Sequence, residues 1–125
     1  MSRSSILFKA IDIICYPGQN YKRFPGLTVV KNISYGEHCY NKGDIYYDKK
    51  FEGKKYPVIM NIHGGGFSAG DKSCRKSLSG YYASKGFFVW NVNYRLGPKE
   101  VYPTQAIDAA NALNKILEFK DEYNL

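Results

Sequence analysis

Two short apolar runs constrain what this chain can fold into more than any other feature. Val58-Ile59-Met60-Asn61-Ile62 and Phe87-Phe88-Val89-Trp90-Asn91-Val92 are nearly continuous in apolar residues. A half-buried strand alternates polar with apolar side chains. Runs without alternation suit strands covered on both faces, as in a parallel sheet flanked by helices. The segment between them, roughly residues 73–85, fits a helix ending at Gly86, a residue suited to a C-cap. After the second run the spacing predicts a strong helix from Thr104 to Lys120. Its apolar stripe is Ala106, Ala110, Leu113 and Leu117, widened by Ile107, Ala109 and Ile116. Asp108, Asn111, Lys115 and Glu118 lie away from the stripe's centre. Strand, helix, strand, helix reads as a right-handed βαβ unit followed by a second helix, an α/β fold.

Upstream, residues 27–35 are rich in β-branched side chains and 44–48 form a second short strand pattern. A turn-rich connection, 36–43, joins them, so an antiparallel pair is expected. At the N-terminus Ile6, Leu7, Ala10, Ile13 and Ile14 recur at helical spacing and Pro17-Gly18 stops the pattern. A short amphipathic helix over 1–17 is expected. Lys9 and Asp12 interrupt its apolar stretch, and no small-x-small cleavage site follows, which argues against a signal peptide.

The chain has 125 residues, enough for one domain and too few for two. At 44% hydrophobic and 16% aromatic residues it has ample material for a core. No apolar run reaches the roughly 18 residues of a membrane-spanning helix. Cys15, Cys39 and Cys74 are odd in number and widely spaced, which gives no disulfide framework and no CxxC metal pair and favours a cytoplasmic home. The net charge is +7, from 18 Lys and Arg against 11 Asp and Glu. Those cations are scattered, in no run as long as five, so a solvated lysine-rich surface is expected and nucleic-acid binding is not.

The segment from Asn61 to Lys72, NIHGGGFSAGDK, carries the chemistry. Three glycines directly after a buried strand are costly in backbone entropy. They are useful where backbone N–H groups must approach a ligand closely, as an oxyanion requires. A tight turn with no function is the alternative. His38 beside Cys39 raises a nucleophile–base pair, but adjacent strand-like residues point to opposite faces, and a solvated His38 in a turn is the preferred reading. Arg95 and Asp108 are positioned for a structural ion pair, with an exposed, unpaired Arg95 as the alternative. There is no GxxxxGK[ST] and no HExxH, so no metal or cofactor is expected.

His63-Gly64-Gly65-Gly66-Phe67 followed by Gly70-Asp71-Lys72, then Asn93-Tyr94-Arg95-Leu96-Gly97-Pro98, then Tyr102-Pro103-Thr104-Gln105-Ala106-Ile107-Asp108-Ala109, resemble in order and spacing the α/β-hydrolases. Within them the chain is similar to the carboxylesterase, hormone-sensitive-lipase-like and feruloyl-esterase-like (BD-FAE) group, from about Val30 to the C-terminus. The resemblance implies hydrolysis of a small carboxylic ester through a serine acyl-enzyme. It implies that the N–H groups of Gly65 and Gly66 form the oxyanion hole, that His63 and Gly64 shape the loop, and that Phe67 and Tyr94 line the substrate pocket.

In this fold the triad follows in the order Ser, Asp or Glu, then His. The resemblance places the nucleophile elbow one strand beyond the Thr104 helix, so nucleophile, acid and base have no positions here. The expectation is an N-terminal half-domain over 27–125, inactive alone. A non-catalytic fragment, a half needing a complementary C-terminal chain, self-association through an exposed sheet edge at 58–62, and a basic interaction module are the alternatives. Gly66-Phe67-Ser68-Ala69-Gly70 matches G-x-S-x-G letter for letter, which makes Ser68 a formal nucleophile candidate. Its position argues against it, six residues past Ile62 and beyond the glycine turn rather than at a strand-to-helix junction.

Overall fold

The computed structural model describes residues 24–125; the helix expected over 1–17 lies outside them. Four strands form one mixed sheet: β1 (Leu27–Ser34), β2 (Lys42–Asp48), β3 (Val58–Ile62) and β4 (Phe88–Val92). Their spatial order is β1-β2-β4-β3. β1 and β2 pair antiparallel, β2 and β4 antiparallel, and β3 and β4 parallel, with Met60 opposite Trp90. Helix α1 (Lys76–Ser84) links β3 to β4, and α2 (Thr104–Tyr123) follows β4.

β4 is buried at all five positions, as its unbroken apolar run predicts. Its side chains alternate between two cores. Phe88, Trp90 and Val92 face α2 together with Ile45, Tyr56, Ala112 and Phe119. Val89 faces α1 with Tyr46 and Ala83. β3 carries the same pattern but lies at the edge of the sheet among the described residues, and Val58 and Ile62 stay 36% and 42% exposed.

Three details differ from the sequence reading. The helix expected from residue 73 begins as a 3-10 turn, Lys72–Arg75, and becomes α-helical at Lys76; Asp71 caps the turn by accepting the Ser73 N–H. The second helix runs on to Tyr123 and ends at Asn124 in the left-handed conformation. The face of α2 packed on the sheet is Asp108, Ala112 and Phe119, not the Leu113–Leu117 stripe. Trp90 sets this rotation. Its indole N–H donates to the Ala112 carbonyl at 2.9 Å, and the small alanine lets the helix come close. Asp108 tolerates burial because Arg95 pairs with it. Leu113 and Leu117 consequently face outward, 55% and 70% exposed.

Candidate active site

The loop leaving β3 is built around its glycines. Gly65 has φ 131° and Gly66 φ 59°. A Cβ on Gly65 would overlap the Ala69 carbonyl, and one on Gly70 (φ 104°) would overlap the Gly64 carbonyl and the His63 ring. The Gly65 carbonyl accepts the N–H groups of Ser68 and Ala69 at 3.2 and 3.1 Å, which closes the turn. Among the described residues the N–H groups of Gly65 and Gly66 donate to no backbone carbonyl.

His63 is buried and braces this turn. Its ring stacks on Tyr94 with centroids 4.5 Å apart, and the Tyr94 hydroxyl donates to the His63 carbonyl at 3.1 Å. His63 Nδ1 lies 2.8 Å from the Gly64 carbonyl. A carbonyl can only accept, so Nδ1 carries the proton and is committed to the loop.

Polar side chains from the strands hold the far end of the loop. Asn93 Oδ1 accepts the Lys72 N–H at 2.6 Å, and its Nδ2 donates to Asp71 at 3.0 Å. Asn91 Nδ2 donates to the Lys72 carbonyl at 2.8 Å. Lys72 Nζ pairs with Asp44 of β2. Asn91 sits inside an apolar strand run, where a polar residue needs a specific partner, and Asn93 follows that run directly. That oddity was the sequence signal for a loop clamp, and motif reasoning passed over it.

Arg95 binds Asp108 through Nη2 at 2.7 Å, Nε at 3.0 Å and its backbone N–H at 2.9 Å. Burial pushes the Asp108 carboxyl up, but the hydrogen bonds and charge of Arg95 outweigh it and hold the group below the usual carboxylate range. The same hydrogen bonds raise Arg95. The pair fastens the segment after β4 to α2, and that segment walls a cavity.

The cavity measures about 500 Å³. Ile62, Phe67, Tyr94, Val101, Tyr102 and Ala106 give it apolar walls, and Gly66 and Ser68 border it. Phe67 is held at φ 59°, its ring edge-on to Tyr94 at 6.4 Å and 67% exposed. Ser68 is exposed, inside the Gly65–Ala69 turn, with Oγ 3.5 Å from the Gly65 carbonyl. His38 lies in the turn after β1. Its Nδ1 accepts the Tyr40 N–H at 3.1 Å and lies 3.8 Å from Cys39 Sγ. The turn brings imidazole and thiol together where a strand would have separated them. Among the described residues no group of three or more His, Cys, Asp or Glu is placed to hold a metal, and no helix is long and apolar enough to cross a membrane.

A mixed sheet with helices on both faces and a glycine loop after a parallel strand is the architecture of α/β-hydrolase esterases. The BD-FAE family profile matches residues 43–125, and the chain belongs to that family. Esterase B from Lactobacillus rhamnosis superposes with a TM-score of 0.81 at 23% identity, over 94% of this chain and 38% of its own. A bacterial heroin esterase superposes with a TM-score of 0.76 at 25% identity, over 94% and 37%. Tuliposide A-converting enzyme b1 of Tulipa gesneriana is 33% identical over 67 residues, 51% of this chain and 18% of its own. The chain thus spans under two fifths of these solved esterases and about a fifth of the curated relative.

Proposed function

We propose that residues 27–125 form the N-terminal half of a hydrolase domain and supply the oxyanion hole of a serine carboxylic-ester hydrolase. The observation that carries this reading is the pair of N–H groups at Gly65 and Gly66. Among the described residues they satisfy no backbone carbonyl, both residues have positive φ, Gly65 leaves no room for a Cβ, and Gly66 borders an apolar cavity. A serine that lies outside these residues adds to the ester carbonyl as its hydroxyl proton passes to a base that also lies outside them. The carbonyl π pair moves onto oxygen, and the two N–H dipoles hold the resulting oxyanion. Preorganised donors act where charge develops, and losing one typically costs on the order of 10²–10³ in rate. Phe67 and Tyr94 shape the apolar side of the substrate site. His63 acts on the loop: its Nδ1–H is given to the Gly64 carbonyl and its buried ring stacks on Tyr94. The substrate is a small ester with an apolar acyl or alcohol group.

The test is nuclear magnetic resonance of the labelled chain titrated with n-butylphosphonate, an anion with an apolar tail. The Gly65 and Gly66 amide signals should shift saturably, more than with inorganic phosphate. Shifts confined to surface lysines would refute the assignment.

A further inference from the structure

Two adjacent residues grip the glycine loop at its two ends. Asn93 holds the far end, where its Oδ1 accepts the Lys72 N–H and its Nδ2 donates to Asp71. Tyr94 holds the near end, with its ring stacked on His63 and its hydroxyl donating to the His63 carbonyl. β4 ends at Val92, and the Asn93 N–H makes a last bond across to the Lys42 carbonyl at 2.9 Å. The carbonyl of the following peptide, the one that joins Asn93 to Tyr94, accepts the Tyr35 hydroxyl. A peptide unit is planar. Holding its oxygen therefore restricts the dihedral angles on either side, and with them the directions of both gripping side chains.

Tyr35 is itself well fixed in the turn after β1. Its N–H donates to the Asn41 carbonyl at 2.9 Å, and Asn41 Nδ2 donates to its hydroxyl at 3.4 Å. Its ring stands edge-on to Trp90 with centroids 6.3 Å apart. Burial pushes the hydroxyl up to about 12, so the donated proton is retained at neutral pH.

We infer that Tyr35 is a positioning residue of the oxyanion loop: from the β1–β2 turn its hydroxyl sets the Asn93–Tyr94 peptide, and through that peptide both ends of the loop. This rests on the oxyanion reading above and adds a residue that lies outside the loop and its flanking motifs.

The test compares two variants by nuclear magnetic resonance of the labelled chain. Tyr35→Phe keeps the ring against Trp90 and removes only the hydroxyl. Tyr56→Phe is the matched control. It too removes a tyrosine hydroxyl that donates to a backbone carbonyl, that of Asp48 at 2.9 Å, and Tyr56 precedes β3 whereas the loop follows it. Amide exchange is read at Ser68, Ala69 and Lys72, whose N–H groups are bonded within the loop or onto Asn93. In Tyr35→Phe these three should exchange about fivefold faster, the scale of one hydrogen bond, and the Gly65 and Gly66 shifts should need about fivefold more butylphosphonate. Tyr56→Phe should leave both readouts at the parent's values, and circular dichroism should be the same for all three chains. Loop exchange that Tyr35→Phe leaves unchanged, that Tyr56→Phe changes equally, or that rises only with loss of the whole fold would make Tyr35 an ordinary core residue and overturn the inference. Exchange is measured without ligand. A parent whose glycine amides ignore butylphosphonate therefore refutes the oxyanion reading, while the exchange rates still decide whether Tyr35 positions the loop.

Discussion

The Lys72 ammonium lies 2.7 Å from Asp44 Oδ1, with the two side chains only 13% and 1% exposed. Lys72 Nζ also donates to Asn32 Oδ1 at 3.0 Å, and Asp44 accepts the Asn32 N–H at 2.9 Å. Asn32 is the left-handed residue (φ 59°) where the β1–β2 register shifts. One lysine therefore ties the end of the glycine loop to an irregularity in the neighbouring hairpin. Removing one partner of a buried pair strands the other charge, a cost larger than the net worth of the pair. Lys72→Met should destabilise the chain by about 3 kcal/mol, and adding Asp44→Asn should recover part of that loss. Urea unfolding of the two variants checks this. A single variant within 0.5 kcal/mol of the parent, roughly the range for exposed sites, would show the pair to be solvated.

Gly65 and Gly66 should respond differently to alanine, although they are neighbours with positive φ. At Gly65 a Cβ meets the Ala69 carbonyl, so backbone must move. At Gly66 nothing lies within 4 Å, and only the left-handed penalty of about 1–2 kcal/mol applies. Gly66→Ala should keep the loop's amide spectrum and its response to butylphosphonate. Gly65→Ala should lose both. Equal behaviour would mean that the turn is looser than its geometry shows.

The acid limb of the stability curve should belong largely to Asp108. Arg95 holds its folded-state pKa below the unfolded value of about 3.9. A depressed carboxyl contributes stability fully above the unfolded pKa and loses it as pH falls through the folded value. Asp48 adds to the same limb: burial raises it, but Lys50 hydrogen bonds and charge bring it below its ordinary value. The parent should be flat above about pH 5 and lose stability below pH 4. Asp108→Asn should be less stable at neutral pH and show a shallower acid slope. Identical slopes would assign the titration elsewhere.

The parallel pairing of β3 with β4, the antiparallel hairpin and the glycine turn were legible because each rests on local pattern: an apolar run, β-branched residues around a turn, consecutive glycines. The facing of α2 was not. Its sequence holds two apolar stripes, and periodicity weighs both alike. The choice between them is made by Trp90 and Arg95, which are distant in sequence and reach Ala112 and Asp108. The Arg95–Asp108 pair was one of two readings open to the sequence, because burial of a carboxylate depends on a partner that no single segment reveals. The Asn91 and Asn93 clamps show in the sequence only as polar residues within and just after an apolar run, with their partners at Asp71 and Lys72 far off along the chain.

The alkaline limb carries the opposite sign. Burial raises Tyr35, Tyr46 and Tyr123 to about 12 each. Their neutral form is favoured in the fold, so the stabilisation is complete below the unfolded value of about 10 and disappears as pH rises from 10 through 12. Tyrosinate absorbance should show these three groups titrating late, together with loss of the Trp90 environment. Complete titration near pH 10 with the fold intact would place them in water.

The chain alone should not hydrolyse p-nitrophenyl acetate or butyrate above a Ser68→Ala control. Gly66-Phe67-Ser68-Ala69-Gly70 spells the nucleophile motif, but a motif acts through its geometry. Ser68 lies in the turn beside the cavity, and its Oγ points toward the Gly65 carbonyl, an acceptor that cannot take its proton in catalysis. His63 is buried with its ring stacked on Tyr94 to brace the loop, and the Nδ1 lone pair of His38 is used by the Tyr40 N–H. A serine without a base is a weak nucleophile at neutral pH. Steady-state assays with both esters decide the matter. Saturable turnover abolished by Ser68→Ala would make this loop a complete catalytic unit and would overturn the division of labour proposed for its glycines.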